Sequence, residues 1–273
     1  KQYWGSELRI PTASFEEVLS DDKAAYSWLT TLRRVGIVYL KGAPAEQGQV
    51  ARLSDRIGYL RLTFYGWLMP LSRAVRSLRS PLTKGVEQNA FYNIIPHHTS
   101  HVYLIIIFKQ MTSGYMRISC FFKGNQQSER VSPDCWKLIS VGFCLYTRID
   151  HKALLKLNLQ HKVIEVDADG QVVRINYNNA TRDSVLDAPL EQIQPFYGAL
   201  KAFVDLMGRP QNLVTYRMEP GDVVTFDNWR LLHGRRSYVS TRGTPRHLEG
   251  AYLDWDEVMS RLRILGKAIR GDS

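Results

Sequence analysis

Two residues near the C-terminal end have the types and spacing that chemistry at a metal requires. His233 closes the run Gly221-Asp-Val-Val-Thr-Phe-Asp-Asn-Trp-Arg-Leu-Leu-His233. A strand ending in a short loop can hold this imidazole at a barrel mouth, and neutral imidazole is the commonest protein metal ligand. Thirteen residues on, Arg246 can return on the next strand. Its planar, permanently charged fork suits a carboxylate. Each residue alone has a plainer reading, a hydrogen-bonded structural histidine and a solvated arginine. Together in one segment they are far more specific.

The elements that must position this pair read well at both ends of the chain. Ser14 with Glu17 forms a capping box, and Ala25, Trp28, Leu29 and Leu32 fall at i, i+3, i+4, i+7, which predicts a helix running to Arg34. Gly36 to Leu40 reads as a buried strand, and Val50, Leu53 and Ile57 mark a second amphipathic helix closed by Gly58. Val163–Val166 and Val172–Ile175 flank an Asp-Ala-Asp-Gly turn and predict a hairpin. Pro189 opens a helix with Phe196, Leu200, Phe203 and Met207 on one face. Strands follow over Leu213–Met218, Val223–Phe226 and His247–Leu253, and Asp254 with Glu257 caps a last helix through Leu265. Strands carry the chemistry and helices flank it, which predicts a mainly β (α+β) jelly-roll domain with helical buttresses.

Several stretches resemble the gamma-butyrobetaine dioxygenase family of Fe(II)/2-oxoglutarate oxygenases, within the wider TauD/TfdA-like group. They are Gln2–Leu8, Gly36–Val38, Leu62–Gly66, Lys162–Asp205 with Arg174-Ile-Asn-Tyr-Asn-Asn-Ala-Thr-Arg182, Gly221–Tyr238, and Arg246-His-Leu-Glu-Gly-Ala-Tyr-Leu-Asp-Trp-Asp256 through Leu265; they cover about two thirds of the chain. The resemblance implies a double-stranded β-helix and hydroxylation of gamma-butyrobetaine to L-carnitine, with Fe(II), 2-oxoglutarate and O2 required and ascorbate as reductant. It makes His233 the second iron histidine and Arg246 the partner of the distal carboxylate of 2-oxoglutarate. Tyr65 and Tyr252 become members of an aromatic cage for a trimethylammonium group, which is held by its charge over π faces. Asn178 lies near the substrate carboxylate by the same likeness. Trimethyllysine dioxygenase is the enzymatic alternative, with Tyr252-Leu-Asp-Trp-Asp256 favouring the former.

The family's other two iron ligands come from a His-any-Asp motif ahead of the second histidine. Two residues after His97, His98, His101, His151, His161 and His233 stand Thr99, Ser100, Tyr103, Ala153, Val163 and Arg235. Only His247-Leu-Glu249 has the spacing, and it follows His233 inside a different motif. Lys109-Gln110 resembles a Lys-Gln that follows the motif in the family, and this likeness places the metal pair near Ala90 and Tyr92, which again lack the carboxylate. The chain is thus expected to be a dioxygenase by descent that is inactive as written, with a binding protein or a mis-spliced product as the alternative from another class.

The gap lies in a block that differs in every respect. Residues 67–160 hold all three cysteines, no family motif, and 12 Lys/Arg against 4 Asp/Glu, compared with 24 against 22 elsewhere. No sustained period of 2 or 3.6 assigns elements there, so the fold is expected to be disrupted and poorly ordered over this block. Flanks that keep their motifs around a block that keeps none point to a substituted segment and not to gradual divergence. The expected organisation is one TauD/TfdA-like domain over residues 1–273, without the zinc-binding domain that the family carries on its N-terminal side.

Composition sets the remaining bounds. With 273 residues, 44% of them hydrophobic, the chain can bury a full core. Cys120, Cys135 and Cys144 are too few and too scattered for a disulfide framework. The net charge of +10 comes from one block, with no ordered basic helix or aromatic platform. The expected partner is therefore a small quaternary ammonium molecule, not nucleic acid or a membrane, with a second copy of the chain as a candidate homodimer partner. Val102–Phe108, the longest apolar run, is about a third of the roughly 20 residues a membrane helix needs. A cytoplasmic location is expected, with the mitochondrion as alternative.

Overall fold

The computed structural model describes residues 1–60, 69–70, 90–92, 101–108, 115–120, 143–149, 156–169, 172–178, 182, 185–186, 188–235 and 247–271. The N-terminal part runs β1 (Thr12–Ser14), α1 (Phe15–Ser20), α2 (Asp22–Val35), β2 (Ile37–Lys41) and α3 (Gln49–Asp55). The single helix expected up to Arg34 is two, because Asp21 adopts an extended conformation and its carboxylate accepts from Ala24 N at 2.7 Å. Helix α2 ends at Gly36, whose φ of 92° only glycine adopts without strain.

The strands that follow are β3 (Met69–Pro70), β4 (Ala90–Tyr92), β5 (His101–Phe108), β6 (Tyr115–Cys120), β7 (Phe143–Ile149), β8 (Lys156–Lys162), β9 (Ile164–Val166) and β10 (Val172–Ile175). Then come α4 (Leu190–Met207), β11 (Val214–Arg217), β12 (Val223–Asp227), β13 (Leu231–Arg235), β14 (His247–Asp254) and α5 (Trp255–Arg270). Residues 67–160, where periodicity assigned nothing, contain strands. The reason is physical: β3 and β4 are shorter than any periodic window, and β5 is a central strand. A strand with helices over one face of its sheet and a second sheet over the other reads as an unbroken apolar run, without alternation.

Two sheets form the framework. The larger has the order β1-β2-β12-β5-β14-β3, the smaller β11-β6-β13-β4. Sequence-distant strands alternate within each, which is the jelly-roll pattern. Two hairpins, β7-β8 and β9-β10, lie outside them.

Side chains along the strands of the larger sheet divide between two cores with the strand period of 2. Ile37, Tyr39, Val224, Phe226 and Tyr252 join Leu231 and Leu232 of β13 in the core between the sheets, which extends to Phe196, Phe203 and Met207 of α4. Val38, Leu40, Val223, Ala251 and Leu253 face the other way, onto Trp28, Leu29 and Leu32 of α2 and Val258 and Leu262 of α5. Trp28 is 1% exposed and its Nε1 donates to Thr225 Oγ1 at 3.1 Å, while that hydroxyl donates to Val38 O at 3.0 Å. The helices are thereby tied to the outer face, leaving the inner face for the site.

Candidate active site between the two sheets

His233 sits in the middle of β13, hydrogen-bonded in register between two strands. Its register partners are Ile118 of β6 and Tyr92 of β4, and Ala90 pairs with Arg235. The imidazole is buried against the Phe226 ring, centroid to centroid 4.7 Å. Phe226 belongs to the same inter-sheet core as Tyr252, so the structure brings His233 and Tyr252 to one interior layer.

Burial pushes the His233 pKa down from 6.5 to about 3. The ring is therefore neutral across the physiological range, the form that ligates a metal. The unfolded chain binds this proton first, so stability is intact above pH 6.5 and is lost as pH falls below it. In the metal-free protein the loss is about 1.4 kcal/mol per pH unit, or about 2 kcal/mol by pH 5. Urea unfolding between pH 7 and 5 is expected to show this slope in the parent and not in His233→Asn. Equal slopes would mean that the histidine is not buried in its neutral form.

The turn that leads into β13 is rigidly held. Asp227 N donates to Gly36 O at 2.9 Å, Trp229 N to Asp227 Oδ1 at 3.0 Å, and Arg230 Nη2 to Gln2 O at 2.7 Å. Burial raises the Asp227 pKa, against the pull of Arg230 and of hydrogen bonds from Trp229 and Trp255. Asp227 is thus a structural carboxylate. So is Asp222, which pairs with Lys41 Nζ at 2.7 Å beneath the Tyr39 and Tyr216 rings, themselves 4.1 Å apart. Lys41 also donates to Tyr216 OH. Burial works against the Lys41 charge, but Asp222 and Tyr216 outweigh it and the pKa is raised. Glu249 accepts from Gly48 N and Val50 N at the start of α3. It alternates with the interior-facing Tyr252 side of β14, so the His247-Leu-Glu249 spacing serves helix anchoring.

These assignments decide whether an iron centre fits. Among the described residues no group of three His, Cys, Asp or Glu can hold a metal. The nearby carboxylates Asp222, Asp227 and Glu249 are committed elsewhere, and no His-any-Asp motif precedes His233. A single imidazole outside any group of three donors, as His233 is among the described residues, does not fit Fe(II), which the two-His-one-carboxylate arrangement holds with three donors.

Of the other residues singled out in the sequence, Asn178 is buried just beyond β10. Ile175 of that strand donates its N–H to Trp229 O in the turn ahead of His233, at 3.3 Å. Tyr65 and Arg246 lie outside the described residues. The sequence passed over Lys41, Tyr216, Arg174 and Trp229. Lys41 reads as a solvated strand end, and Arg174 as the outer face of a hairpin.

Two facing sheets of jelly-roll order with a buried histidine on an inner strand define the oxygenase framework. The description "Taurine catabolism dioxygenase TauD, TfdA family" matches residues 156–252. The solved structure of a putative alpha-ketoglutarate-dependent taurine dioxygenase from Burkholderia xenovorans superposes with a TM-score of 0.62 at 13% identity, covering 92% of each chain. The gamma-butyrobetaine dioxygenase of Homo sapiens is 47% identical over 272 residues, 98% of this chain and 70% of that one. A trimethyllysine dioxygenase from Meyerozyma guilliermondii is 23% identical over 286 residues, 97% of this chain and 68% of the relative. This chain belongs to the gamma-butyrobetaine dioxygenase family, whose members are Fe(II)- and 2-oxoglutarate-dependent oxygenases. No helix among the described residues is long and apolar enough to cross a membrane.

Proposed function

We propose that the reaction of this protein is the 2-oxoglutarate-dependent hydroxylation of gamma-butyrobetaine to L-carnitine. We propose further that the chain, with residues 67–160 as they stand, binds the organic reactants without sustained turnover. The observation that carries the first part is the identity with the human gamma-butyrobetaine dioxygenase, 47% against 23% for the yeast trimethyllysine enzyme over similar spans. The second part rests on the donor set among the described residues, where His233 offers one imidazole and the metal needs two more ligands, and on the lack of a His-any-Asp motif ahead of His233.

In this reading the chain's own residues divide the work. Arg246 holds the distal carboxylate of 2-oxoglutarate with its two-pronged fork. Tyr252 and Tyr65 form part of the cage that takes the trimethylammonium group by charge over ring faces. Asn178 lies beside the substrate carboxylate. The aromatic interior around Phe226 and Tyr252 keeps water away from the reacting end. In the family's reaction Fe(II), with ascorbate as the proposed reductant, would supply the oxidation of the C–H bond, and the donor set described around His233 does not hold it. We propose that residues 1–273 act as one domain on a small molecule, without nucleic acid or membrane, in the cytoplasm with the mitochondrion as the alternative, and with a second copy of the chain as the candidate partner.

Calorimetric titration tests the assignment. The chain is expected to bind gamma-butyrobetaine in preference to trimethyllysine, and the reverse order would overturn the substrate. Arg246→Gln is expected to weaken 2-oxoglutarate binding by at least about 30-fold, since a fork removed from a carboxylate leaves that charge unpaired. An unchanged affinity would remove Arg246 from the site.

A further inference from the structure

The strand β10 and its continuation carry a buried polar face whose employment is not explained by the fold. Alternate residues separate cleanly. Ile175 and Tyr177 enter the apolar core, Tyr177 edge-on to Phe203. Arg174, Asn176 and Asn178 alternate with them and are 7%, 2% and 6% exposed. Asn176 is spent on structure, donating to Lys162 O at 3.0 Å and Glu165 Oε1 at 2.5 Å.

Arg174 is different. Its guanidinium carbon lies over the Trp229 ring, 4.9 Å from the ring centre, a cation–π contact that uses none of the fork's N–H hydrogen bonds. Its counter-charge is Glu165, its register partner across the β9-β10 hairpin. The Trp229 Nε1 beside Arg174 is buried with no acceptor. A buried donor without an acceptor is a standing penalty, which a ligand carrying its own oxygens removes, and the adjacent Arg174 charge favours an anionic one. The location fits a ligand: Trp229 belongs to the turn that hands the chain to β13, four residues ahead of His233.

We propose that Arg174, held over the Trp229 ring, forms with the Trp229 indole N–H the carboxylate end of the substrate site, alongside Asn178, and selects a carboxylate-bearing quaternary ammonium substrate over one with an uncharged tail. This deepens the substrate reading above and rests on it. The cage recognises only the cationic end, which any trimethylammonium compound offers. Discrimination by the other end needs a desolvated cation, and Arg174, over the Trp229 ring, supplies one at this turn.

The test is binding, which does not depend on iron. Gamma-butyrobetaine and (4-hydroxybutyl)trimethylammonium, the same chain ending in an alcohol, are titrated calorimetrically with 2-oxoglutarate present. The parent is expected to prefer the carboxylate by about tenfold or more. Arg174→Gln is expected to abolish the preference and leave the alcohol affinity within about twofold, so its retained alcohol binding also reports a folded site. Trp229→Phe keeps a stacking face and loses only the N–H, and is expected to reduce the preference several-fold. Glu165→Gln is expected to keep it. A preference that survives Arg174→Gln, or is lost equally in Glu165→Gln, overturns the inference while the substrate reading stands. A parent that binds neither compound overturns both.

Discussion

Introducing Ala90→His and Tyr92→Asp together is expected to raise Fe(II) affinity by more than about 100-fold and to start release of CO2 from 2-oxoglutarate. The parent chain is expected to release no more than a protein-free blank. The argument is one of position. Residue 92 is the register partner of His233 and residue 90 that of Arg235, and directly opposed residues of an antiparallel pair lie about 5 Å apart at Cβ, the span of two ligands on one ion. The magnitude follows from smaller changes elsewhere: the loss of an outer-shell partner alone costs 10–100-fold in metal affinity as a rough rule, and here two direct donors are supplied. Equilibrium dialysis with Fe(II) and trapping of labelled CO2 measure the two effects. Stoichiometric, tight Fe(II) binding by the unaltered chain would end the single-ligand reading. A double variant no better than the parent would show that the ligand positions lie elsewhere in residues 61–100.

Trp28→Ala is expected to destabilise the protein by about 3–5 kcal/mol, the range for removing a large aromatic from a packed core. Whole domains are stable by roughly 5–15 kcal/mol. Trp28 fills the junction between α2 and β12 and supplies the hydrogen bond to Thr225. Trp28→Phe keeps most of the packing and loses the indole N–H, at about 1 kcal/mol. The urea midpoint of each variant measures the change, with the slope of the transition unchanged. A Trp28→Ala variant within about 1 kcal/mol of the parent would mean that the helices are not fastened to the sheet through this residue.

The flanks were readable because their elements are amphipathic. Trp28, Leu29 and Leu32 repeat at helical spacing since one face of α2 meets α5, β2 and β12 and the other meets water. The β9-β10 hairpin showed itself by its turn. His233 was readable because a strand, a short turn and a second strand carry it within a dozen residues. The polar face of β10 was not. Arg174, Asn176 and Asn178 alternating with Ile175 and Tyr177 look like the wet side of a two-faced strand, and what buries Arg174 is a tryptophan 55 positions later. Lys41 with Asp222 failed for the same reason, since long-range pairing leaves no local trace. In residues 67–160 the shortness of β3 and β4 hides them from any periodic test.

The interleaved strand order also constrains how the site comes into being. Strand β13 lies between β4 and β6, β14 between β3 and β5, and β12 between β2 and β5. Every strand from the C-terminal region thus needs partners made long before it, and none of the three pairs with another. Such wide sequence separations slow folding, because loops must close before contacts reward them. His233 is therefore delivered to its neighbours late in folding, after the earlier strands have waited with open edges. Sequence changes in residues 67–160 that weaken those waiting edges would act on the yield of folded protein, and on aggregation during synthesis, before they act on any bound reactant.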